Sequence, residues 1–281
     1  MKLQFTKMHG CGNDYIYINC FEQTVENPAE LAVSLSRPHF GIGSDGVILI
    51  CPSETADAKM RMFNADGSEG RMCGNGIRCV GKYLYDNGMT KGRTKITVET
   101  LSGIKTLHLT VKNGKMLSAR VDMGKAVLTP SEIPVYLDGS SIVAAPLVVD
   151  EKVYHITCVS MGNPHGVVFL TEDVDLLDLR RIGPKFENNP LFPERINTEF
   201  VNLLPDGVLK MRVWERGSGE TLACGTGACA VGVAAVLNGY CGKDTDMTVR
   251  LRGGELTVRY TDGAVWMSGA ATTVFEGTID L

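Results

Sequence analysis

Two cysteines stand in the same local setting at two places in the 281-residue chain. Residues 73–88 read CGNGIRCVGKYLYDNG and residues 224–239 read CGTGACAVGVAAVLNG, so a shift of 151 positions aligns them without a gap. Each copy opens with Cys-Gly-polar-Gly, continues through a segment of helical length and closes with Asn-Gly, a frequent C-terminal signal of helices. The pattern predicts that Cys73 and Cys224 each lie where a glycine-rich turn becomes a helix.

A thiol at a helix N-terminus lies beside unpaired backbone N–H groups and the positive end of the helix dipole. Both favour the thiolate, so we expect the pKa of each thiol to fall below the free value of about 8.5. The same N–H groups bind a carboxylate without a cationic side chain. One thiolate and one thiol on opposite faces of an α-carbon invert it by proton transfer, while fixed dipoles stabilise the developing charge. These residues therefore indicate an amino-acid racemase or epimerase, and no feature requires pyridoxal phosphate or another cofactor.

Two other interpretations of the paired cysteines remain open on the pattern alone. The Cys-Gly segments could serve helix packing in a duplicated protein, or the two thiols could form a regulatory disulfide, which is compatible with catalysis. The sequence has nine cysteines and no Cys-x-x-Cys pair, so we expect reduced thiols and no bound metal. We interpret the other seven as small buried side chains: Cys11, Cys20, Cys51, Cys79, Cys158, Cys229 and Cys241.

The elements that must position the thiols are also duplicated. Gly12-Asn13 is mirrored by Gly162-Asn163, and FNADGSE and WERGSGE precede the two cysteine segments. Short strand-like runs surround both copies, a helix is predicted from Pro28 to Leu35, and another over Val174–Ile182, ended by Gly183-Pro184. The expected fold class is α+β, with two pseudo-symmetric domains, each a mixed, barrel-like sheet wrapped around a central helix. Breaks near residues 123–134 predict a first domain of residues 1–124 with a C-terminal return of 266–281, and a second of 125–265.

Composition excludes several classes of partner. The chain is 44% hydrophobic and 21% charged with a net charge of −4, so neither nucleic acid nor an anionic membrane is expected to bind. The N-terminus, MKLQFTKMHG, lacks the apolar core of a signal peptide, which predicts a cytoplasmic protein. The segment Gly41–Gly46 matches Gly-x-Gly-x-x-Gly, but a strand-like run follows it instead of a helix, so we reject a dinucleotide site.

Polar residues near the two cysteine segments suggest a charged substrate. Four asparagines fall in predicted turns or at strand ends, where local backbone bonding is their ordinary role, and an acid–base pair precedes the second glycine-rich loop. These residues are Asn13, Asn64, Asn163, Asn197, Glu215 and Arg216. The pair could be a solvated surface pair. An Arg also binds a carboxylate with two hydrogen bonds, and Glu with Asn can hold an ammonium group, which suggests more charge than a simple amino acid carries.

The segments MHGCGNDY, FNADGSE, CGNG, SMGNPH, RINTEFV and WERGSGETLACGTGA resemble the signature segments of diaminopimelate epimerases, in the family's order. The resemblance runs from residue 8 to beyond residue 230, whereas the Cys-Gly segments alone are shared with other cofactor-independent racemases, including proline racemase. It implies interconversion of L,L- and meso-diaminopimelate, without a cofactor, in lysine and peptidoglycan precursor biosynthesis. It also implies two pseudo-symmetric domains with the active site between them, and a homodimer.

The resemblance further implies roles for individual residues. Cys73 and Cys224 would be the acid/base pair, and His165 would tune the thiols. The carboxylate at the reacting centre would be bound by the backbone amides of Gly74, Asn75, Gly225 and Thr226. The other substrate groups would be held by Asn13, Asn64, Asn163, Asn197, Glu215 and Arg216. Some members of the family carry Gln where this chain has Gly46, so we expect a changed substrate contact there and retained activity.

Two rival functions fit the sequence less well. A racemase of another amino acid on the same scaffold, such as histidine or proline, has a substrate without a distal carboxylate, which would leave Arg216 unpaired in a closed site. An isomerase related to the phenazine pathway, or a non-catalytic binding protein, is disfavoured because such relatives lack the paired cysteines.

Overall fold

The structure is a computed structural model that describes residues 2–280. Met1 and Leu281, which the predicted first domain includes, lie outside the described residues. The described part of the chain contains four α-helices: α1 (Pro28–Ser36), α2 (Gly74–Asp86), α3 (Leu179–Glu187) and α4 (Gly225–Leu237). Its strands are β1 (Lys2–Gly10), β2 (Asn13–Asn19), β3 (Gly46–Cys51), β4 (Ala58–Asn64), β5 (Glu69–Gly70), β6 (Lys95–Thr100), β7 (Gly103–Lys112), β8 (Lys115–Asp122), β9 (Ala145–Val149), β10 (Lys152–Ser160), β11 (Pro164–Phe169), β12 (Asn197–Leu203), β13 (Leu209–Glu215), β14 (Gly219–Glu220), β15 (Asp246–Leu251), β16 (Gly254–Tyr260), β17 (Val265–Ala270) and β18 (Thr272–Asp280).

The chain folds into two compact units, one of residues 2–122 with 268–280 and one of Met123–Met267. In the first unit, β2 pairs in parallel with β3, β3 antiparallel with β4, and β4 in parallel with β6. Strands β6, β7 and β8 form an antiparallel meander. Strand β1 pairs antiparallel with both β2 and β18, so the C-terminal strand belongs to the same sheet as the N-terminal one.

The second unit repeats this strand pairing. Strand β10 pairs antiparallel with β11, β11 in parallel with β12, β12 antiparallel with β13, and β13 in parallel with β15. Strands β15 and β16 are antiparallel, as β6 and β7 are in the first unit. The predicted α+β class is confirmed, and the register of the duplicated strands extends the likeness of the two cysteine segments to the sheets beneath them.

Helices α2 and α4 approach their sheets closely because a glycine stands at the same place in each. A methyl group added at Gly81 of α2 would lie 2.8 Å from Leu107 Cδ2, and one added at Gly232 of α4 would lie 2.6 Å from Val258 Cγ1. Such separations are shorter than van der Waals contact, so a larger residue would push each helix off its sheet. These glycines therefore allow the middle of each helix to lie close to its sheet.

The prediction for the third helix is wrong at both ends. Residues Val174–Leu176 form a short 3₁₀ turn, and α3 begins at Leu179 and continues through Gly183 and Pro184 to Glu187. Proline costs a helix one hydrogen bond. The helix continues nevertheless because Ile182 and Phe186 are both buried in the core of the second unit, so tertiary packing outweighs the local stop signal.

Two further features bear on the sequence predictions. The Gly41–Gly46 segment connects α1 to β3, which is the reverse of the strand–loop–helix order that a dinucleotide fingerprint needs. No helix within residues 2–280 is both long enough and apolar enough to cross a membrane.

Candidate functional site

Cys73 is the N-cap residue of α2. Its backbone is extended, its Sγ accepts a hydrogen bond from the Gly76 amide at 3.2 Å, and its carbonyl accepts the Ile77 amide at 2.9 Å. The amides of Gly74 and Asn75 come before these two, and the first N–H groups of a helix have no partner within the helix. The structure therefore places the predicted thiol and the two predicted carboxylate-binding amides on one helical turn.

Asparagine side chains of the first unit surround this thiol. The Cys73 Sγ donates to Asn13 Oδ1 at 3.2 Å, and the Asn75 side-chain amide lies 3.5 Å from the same oxygen. Asn13 in turn donates to Asp45 Oδ2 at 2.6 Å, and burial raises the pKa of that carboxyl. The buried Arg78 donates to Asn75 Oδ1 at 3.0 Å, and this hydrogen bond fixes the orientation of the Asn75 side-chain amide. Three predicted site residues are thus brought together by direct hydrogen bonds.

Asn64 is the last residue of β4 and pairs in register with Gly46, while its side chain donates to Ser68 Oγ at 3.0 Å. A methyl group added at Gly46 would overlap the Phe63 carbonyl and would lie 2.8 Å from the Tyr15 ring. The backbone here has no room for any side chain, which explains why glycine occupies this position in this chain. A glutamine contact with substrate from this position is excluded on this backbone.

Cys224 is the N-cap residue of α4 and repeats the backbone geometry of Cys73. Its Sγ accepts from the Gly227 amide at 3.4 Å, and its carbonyl accepts the Ala228 amide at 3.0 Å. The amides of Gly225 and Thr226 occupy the corresponding first turn. The Thr226 hydroxyl lies 3.5 Å from Sγ. Both predicted cysteines therefore cap helices with their sulfur atoms.

Acidic side chains set the surroundings of the second thiol. Glu215 lies at the end of β13, accepts a hydrogen bond from the Thr221 hydroxyl and is hydrogen-bonded to Cys224. Burial raises the pKa of the Glu215 carboxyl. Burial is also the main cause that raises the pKa of the Cys224 thiol well above its ordinary value, and the charges of Glu215 and Glu199 raise it further.

The expectation of a lowered thiol pKa is therefore wrong for Cys224. The hydrogen bonds from Thr226 and the Gly227 amide do favour the thiolate, as the helix N-terminus predicts. They are outweighed because the side chain is buried and two carboxylates face it, and loss of hydration penalises the charged form of a thiol. The burial of the thiol and the approach of Glu199 to it arise only in the folded chain.

His165 lies on β11 and is fully buried. Its Nδ1 is 2.7 Å from Glu199 Oε1, and its Nε2 is 3.1 Å from Asn163 Oδ1. Each ring nitrogen thus has one polar partner, which fixes the orientation of the imidazole. The predicted His165 and Asn163 are brought into one hydrogen-bonded chain, and the second unit also places this histidine near Glu215.

Asn197 joins the remaining predicted residues of the second unit. Its side-chain amide donates to the Pro164 carbonyl at 2.7 Å, and its Oδ1 accepts from the Arg216 backbone amide at 2.9 Å. The Arg216 guanidinium donates to the Glu194 carbonyl at 2.7 Å. Within residues 2–280, Arg216 forms no ion pair with a carboxylate of the chain, so its charge is not neutralised by an acidic side chain.

Glu199 is the residue that the sequence analysis missed. It follows the predicted Asn197 by two positions in β12, is fully buried and faces Cys224 from the strand beneath α4. The signal was present, because a carboxylate within the run NTEFVNL is unusual in a strand whose other residues are mostly buried. In addition, the duplicated strand of the first half, GVILIC, carries an apolar residue at the corresponding place.

Within the described range 2–280, no group of three or more His, Cys, Asp and Glu side chains is arranged to hold a metal ion. The chemistry that these side chains support is acid–base and electrostatic. Each unit presents one thiol at a helix N-terminus with amides that suit a carboxylate, and the second unit adds the buried Glu199, the half-buried Glu215 and an imidazole.

Comparisons with known proteins agree with this chemistry. A sequence model described as diaminopimelate epimerase matches residues 5–129 and 157–274. A diaminopimelate epimerase from Acetivibrio thermocellus is 58% identical over 281 residues, covering 99% of each chain, and one from Methanococcus maripaludis is 54% identical, covering 99% of this chain and 100% of its own. A crystal structure of a hydroxyproline epimerase from Agrobacterium vitis superimposes with a TM-score of 0.70 at 16% identity, covering 99% of this chain and 91% of its own.

The chain therefore has the fold of the epimerases and racemases to which the hydroxyproline epimerase belongs. Sequence likeness over nearly the whole length is far more specific. The chain belongs to the diaminopimelate epimerase family, whose members are isomerases.

Proposed function

We propose that this chain interconverts L,L- and meso-diaminopimelate by proton transfer at one α-carbon, with Cys73 and Cys224 as the acid/base pair. The observation that carries this proposal is the pair of sulfur N-caps, each held by the amide of the glycine three residues further on, in a chain of this family. Membership of the family supports the reaction, and the two thiols support the mechanism.

The proposed reaction needs one thiolate and one thiol. The thiolate removes the α-proton from one face of the carbon, and the opposite thiol donates its own proton to the other face. The electron pair left on the α-carbon is shared with the substrate carboxylate between the two transfers. Reversing the reaction exchanges the two roles, so no external acid or base is consumed.

Backbone amides would stabilise the charge that develops on this carboxylate. Gly74 and Asn75 open α2, and Gly225 and Thr226 open α4, where N–H groups point away from the helix. Removing one such donor from an anionic site typically costs 10²–10³-fold in rate. The amides therefore supply electrostatic stabilisation that a cationic side chain would otherwise have to provide.

Arg216 is the residue that we expect to select diaminopimelate over simpler amino acids. Its guanidinium forms no ion pair within residues 2–280, so it is available for the distal carboxylate of the substrate. Asn197 accepts the Arg216 backbone amide, Glu215 precedes Arg216 in the chain, and Asn163 is hydrogen-bonded to His165. These three side chains carry the oxygen acceptors that we propose for the distal ammonium. Asn13 and Asn64 are proposed to hold the substrate from the first unit.

Several wider predictions remain proposals. We propose that the compact units of residues 2–122 with 268–280 and of Met123–Met267 are the two epimerase-like domains of the sequence prediction. The protein is also proposed to be a cytoplasmic homodimer that acts in lysine and peptidoglycan precursor biosynthesis and binds neither nucleic acid nor membranes.

The proposed activity is tested by incubating the reduced protein with L,L-diaminopimelate, and separately with proline, histidine and glutamate, without pyridoxal phosphate. Chiral chromatography follows the products. We expect meso-diaminopimelate to appear and the other amino acids to stay unchanged. Racemisation of proline or histidine instead would place the chain with another racemase, and no conversion under reducing conditions would favour a structural role for the paired cysteines.

A further inference from the structure

The two thiols differ in what lies beneath the first turn of their helices. Strands β11, β12 and β13 repeat the register of β2, β3 and β4, with Val167 opposite Glu199 as Tyr17 is opposite Ile48. A methyl group added at Gly76 would lie 2.6 Å from Ile48 Cδ1, and one added at Gly227 would lie 2.6 Å from Glu199 Oε1. The Ile48 side chain lies beneath the first turn of α2, and the Glu199 carboxylate occupies the equivalent position beneath α4.

Glu199 is an unusual residue for such a place. Its side chain is completely buried, and its Oε1 lies 2.7 Å from His165 Nδ1. Its other oxygen, Oε2, has no hydrogen-bond partner within residues 2–280. A buried carboxylate oxygen without a partner costs stability, whereas Ile48 shows that the same strand position accepts an apolar residue. Packing therefore does not account for the acid.

The charged and titratable groups around Cys224 come from three strands and from its own helix. Glu215 on β13 is hydrogen-bonded to the thiol, Glu199 on β12 lies beneath it, and His165 on β11 holds Glu199. From α4, the Thr226 hydroxyl and the Gly227 amide face the sulfur. Two acids thus oppose the amide and hydroxyl that favour a thiolate.

We propose that Glu199 is a positioning residue that keeps the proton on Cys224 in the free protein and thereby makes the two thiols unequal. This inference rests on the proposed function for its consequence, but its physical content concerns only the thiol. The negative charge of Glu199 disfavours a second negative charge on the nearby sulfur, and burial strengthens the effect because little water screens it. His165, fixed by Asn163, keeps the carboxylate in this position.

The consequence is a defined starting state. A two-base isomerase needs one thiol and one thiolate at the outset, and two equivalent thiols would often hold two protons or none. With the proton held on Cys224, the isomer whose α-proton faces Cys73 can react directly. The other isomer must wait until the proton has moved.

The test measures how readily each thiol reacts, and it needs no substrate. Full-length wild type, Glu199→Gln and Glu199→Asp are treated with methyl methanethiolsulfonate between pH 6 and 10, and labelling of the Cys73 and Cys224 peptides is followed by mass spectrometry. The thiolate is the reactive form, so the rate below the thiol pKa follows the thiolate fraction. We expect Glu199→Gln to label Cys224 about tenfold faster at pH 8, because losing the Glu199 charge lowers the thiol pKa, with the Cys73 rate unchanged.

The aspartate variant separates charge from shape. Asp keeps the charge and leaves a small void, so Cys224 should be labelled in Glu199→Asp at nearly the wild-type rate. If Glu199 had a purely structural role, Glu199→Asp would change the labelling of Cys224 at least as much as Glu199→Gln. Glu187→Gln is the matched control, because Glu187 is also buried but bonds to Trp214, Arg195 and the Gly217 amide and not to His165, and it should leave Cys224 labelling unchanged.

Three results would overturn the inference: an unchanged or slower Cys224 rate in Glu199→Gln, equal acceleration in Glu199→Asp, or a Cys224 that stays unlabelled in every protein. A protein that labels as expected but converts no diaminopimelate would contradict the proposed function alone. A protein that converts diaminopimelate with an unaltered labelling rate would contradict this inference alone.

Discussion

The two candidate acid/base residues share a backbone setting and differ in their side-chain surroundings. Each sulfur accepts a hydrogen bond from the amide three residues further on, at 3.2 Å for Cys73 and 3.4 Å for Cys224. The Cys73 thiol donates a hydrogen bond to the side-chain oxygen of Asn13, whereas the Cys224 thiol is hydrogen-bonded to the carboxylate of Glu215. The main chain offers the first amides of a helix beside both sulfur atoms, and we propose that the side chains decide which sulfur holds a proton.

Removing either thiol should stop the reaction without unfolding the protein. We expect Cys73→Ala and Cys224→Ala each to lower kcat at least about a thousandfold, because a positioned acid or base contributes roughly 10²–10⁴-fold and here each removal breaks the pair. Circular dichroism should be unchanged. Cys241→Ala is the control, because this half-buried thiol follows α4 outside the proposed site and should retain activity. Turnover near the wild-type rate in either variant would contradict the two-thiol mechanism.

A second pair of thiols gives a pH prediction. A hydrogen bond from Cys20, with help from the charges of Arg61 and Lys59, lowers the pKa of Cys51 to about 7. The reactive thiolate should therefore accumulate as the pH rises through 7, and iodoacetamide labelling of Cys51 should reach half its maximal rate near that pH. Burial raises the pKa of Cys158 to about 12, so this thiol should stay unlabelled over the same range.

The Cys20→Ala variant tests the stated cause of that low pKa. Without the hydrogen-bond donor the Cys51 thiolate loses stabilisation, so the midpoint of labelling should move to higher pH. Peptide mapping by mass spectrometry after timed alkylation separates the individual cysteines. A midpoint that stays at its original pH in Cys20→Ala would show that the hydrogen bond is not responsible.

At the scale of elements, the contact between α3 and β13 makes a stability prediction. A methyl group at Gly183 would come within 2.5 Å of Trp214 Cγ, and the indole cannot easily withdraw because its N–H donates to Glu187 Oε2 at 2.7 Å. Alanine in place of glycine gains about 1 kcal/mol of helix propensity, whereas overpacking costs roughly 1–3 kcal/mol. Because this contact is severe, we take the upper end of the overpacking cost and expect Gly183→Ala to be destabilised by about 2 kcal/mol in urea unfolding.

The control for this substitution is Gly263→Ala. An added methyl group there meets no atom within 4 Å. Its stability should stay within about 0.5 kcal/mol of wild type. If Gly183→Ala were instead stabilised by the gain in propensity, the close contact with the indole would not exist in solution.

The elements show what the sequence could and could not predict. The start of α2 and of α4 follows from local signals, since Cys-Gly-x-Gly opens each helix and Asn-Gly closes it, and the structure has both cysteines as N-caps. The end of α3 does not follow from local signals. Pro184 is a strong stop signal, but Phe186 two residues later is completely buried, and only the packed core reveals that gain.

The candidate site shows the same division. The repeat and the motif residues led to Cys73, Asn13 and Asn75, which the structure joins by hydrogen bonds. The raised pKa of Cys224 depends on burial and on the charges of Glu215 and Glu199, which the neighbouring strands β13 and β12 bring to the thiol. Such effects belong to the folded chain, and a local pattern carries no record of them.

At the scale of the whole molecule, duplication supplies symmetry and substitution removes it. The strand register of the first unit recurs in the second, and in each unit one helix begins at a cysteine. An inversion reaction requires two similar groups, yet its first step requires that they differ in charge. One strand position differs between the two halves, with Ile48 in the first and Glu199 in the second. This difference leaves the two thiols in similar backbone settings and gives them different charge.

The measurement that tests this account most directly follows solvent deuterium during the first few per cent of conversion. L,L-diaminopimelate is incubated with the reduced protein in deuterated water, and both the meso product and the recovered substrate are analysed by mass spectrometry. Two bases predict one deuterium in every product molecule and almost none in recovered substrate, because the proton leaves to one sulfur and the new one arrives from the other. Equal labelling of product and recovered substrate would mean that a single base serves both faces, and it would contradict the account.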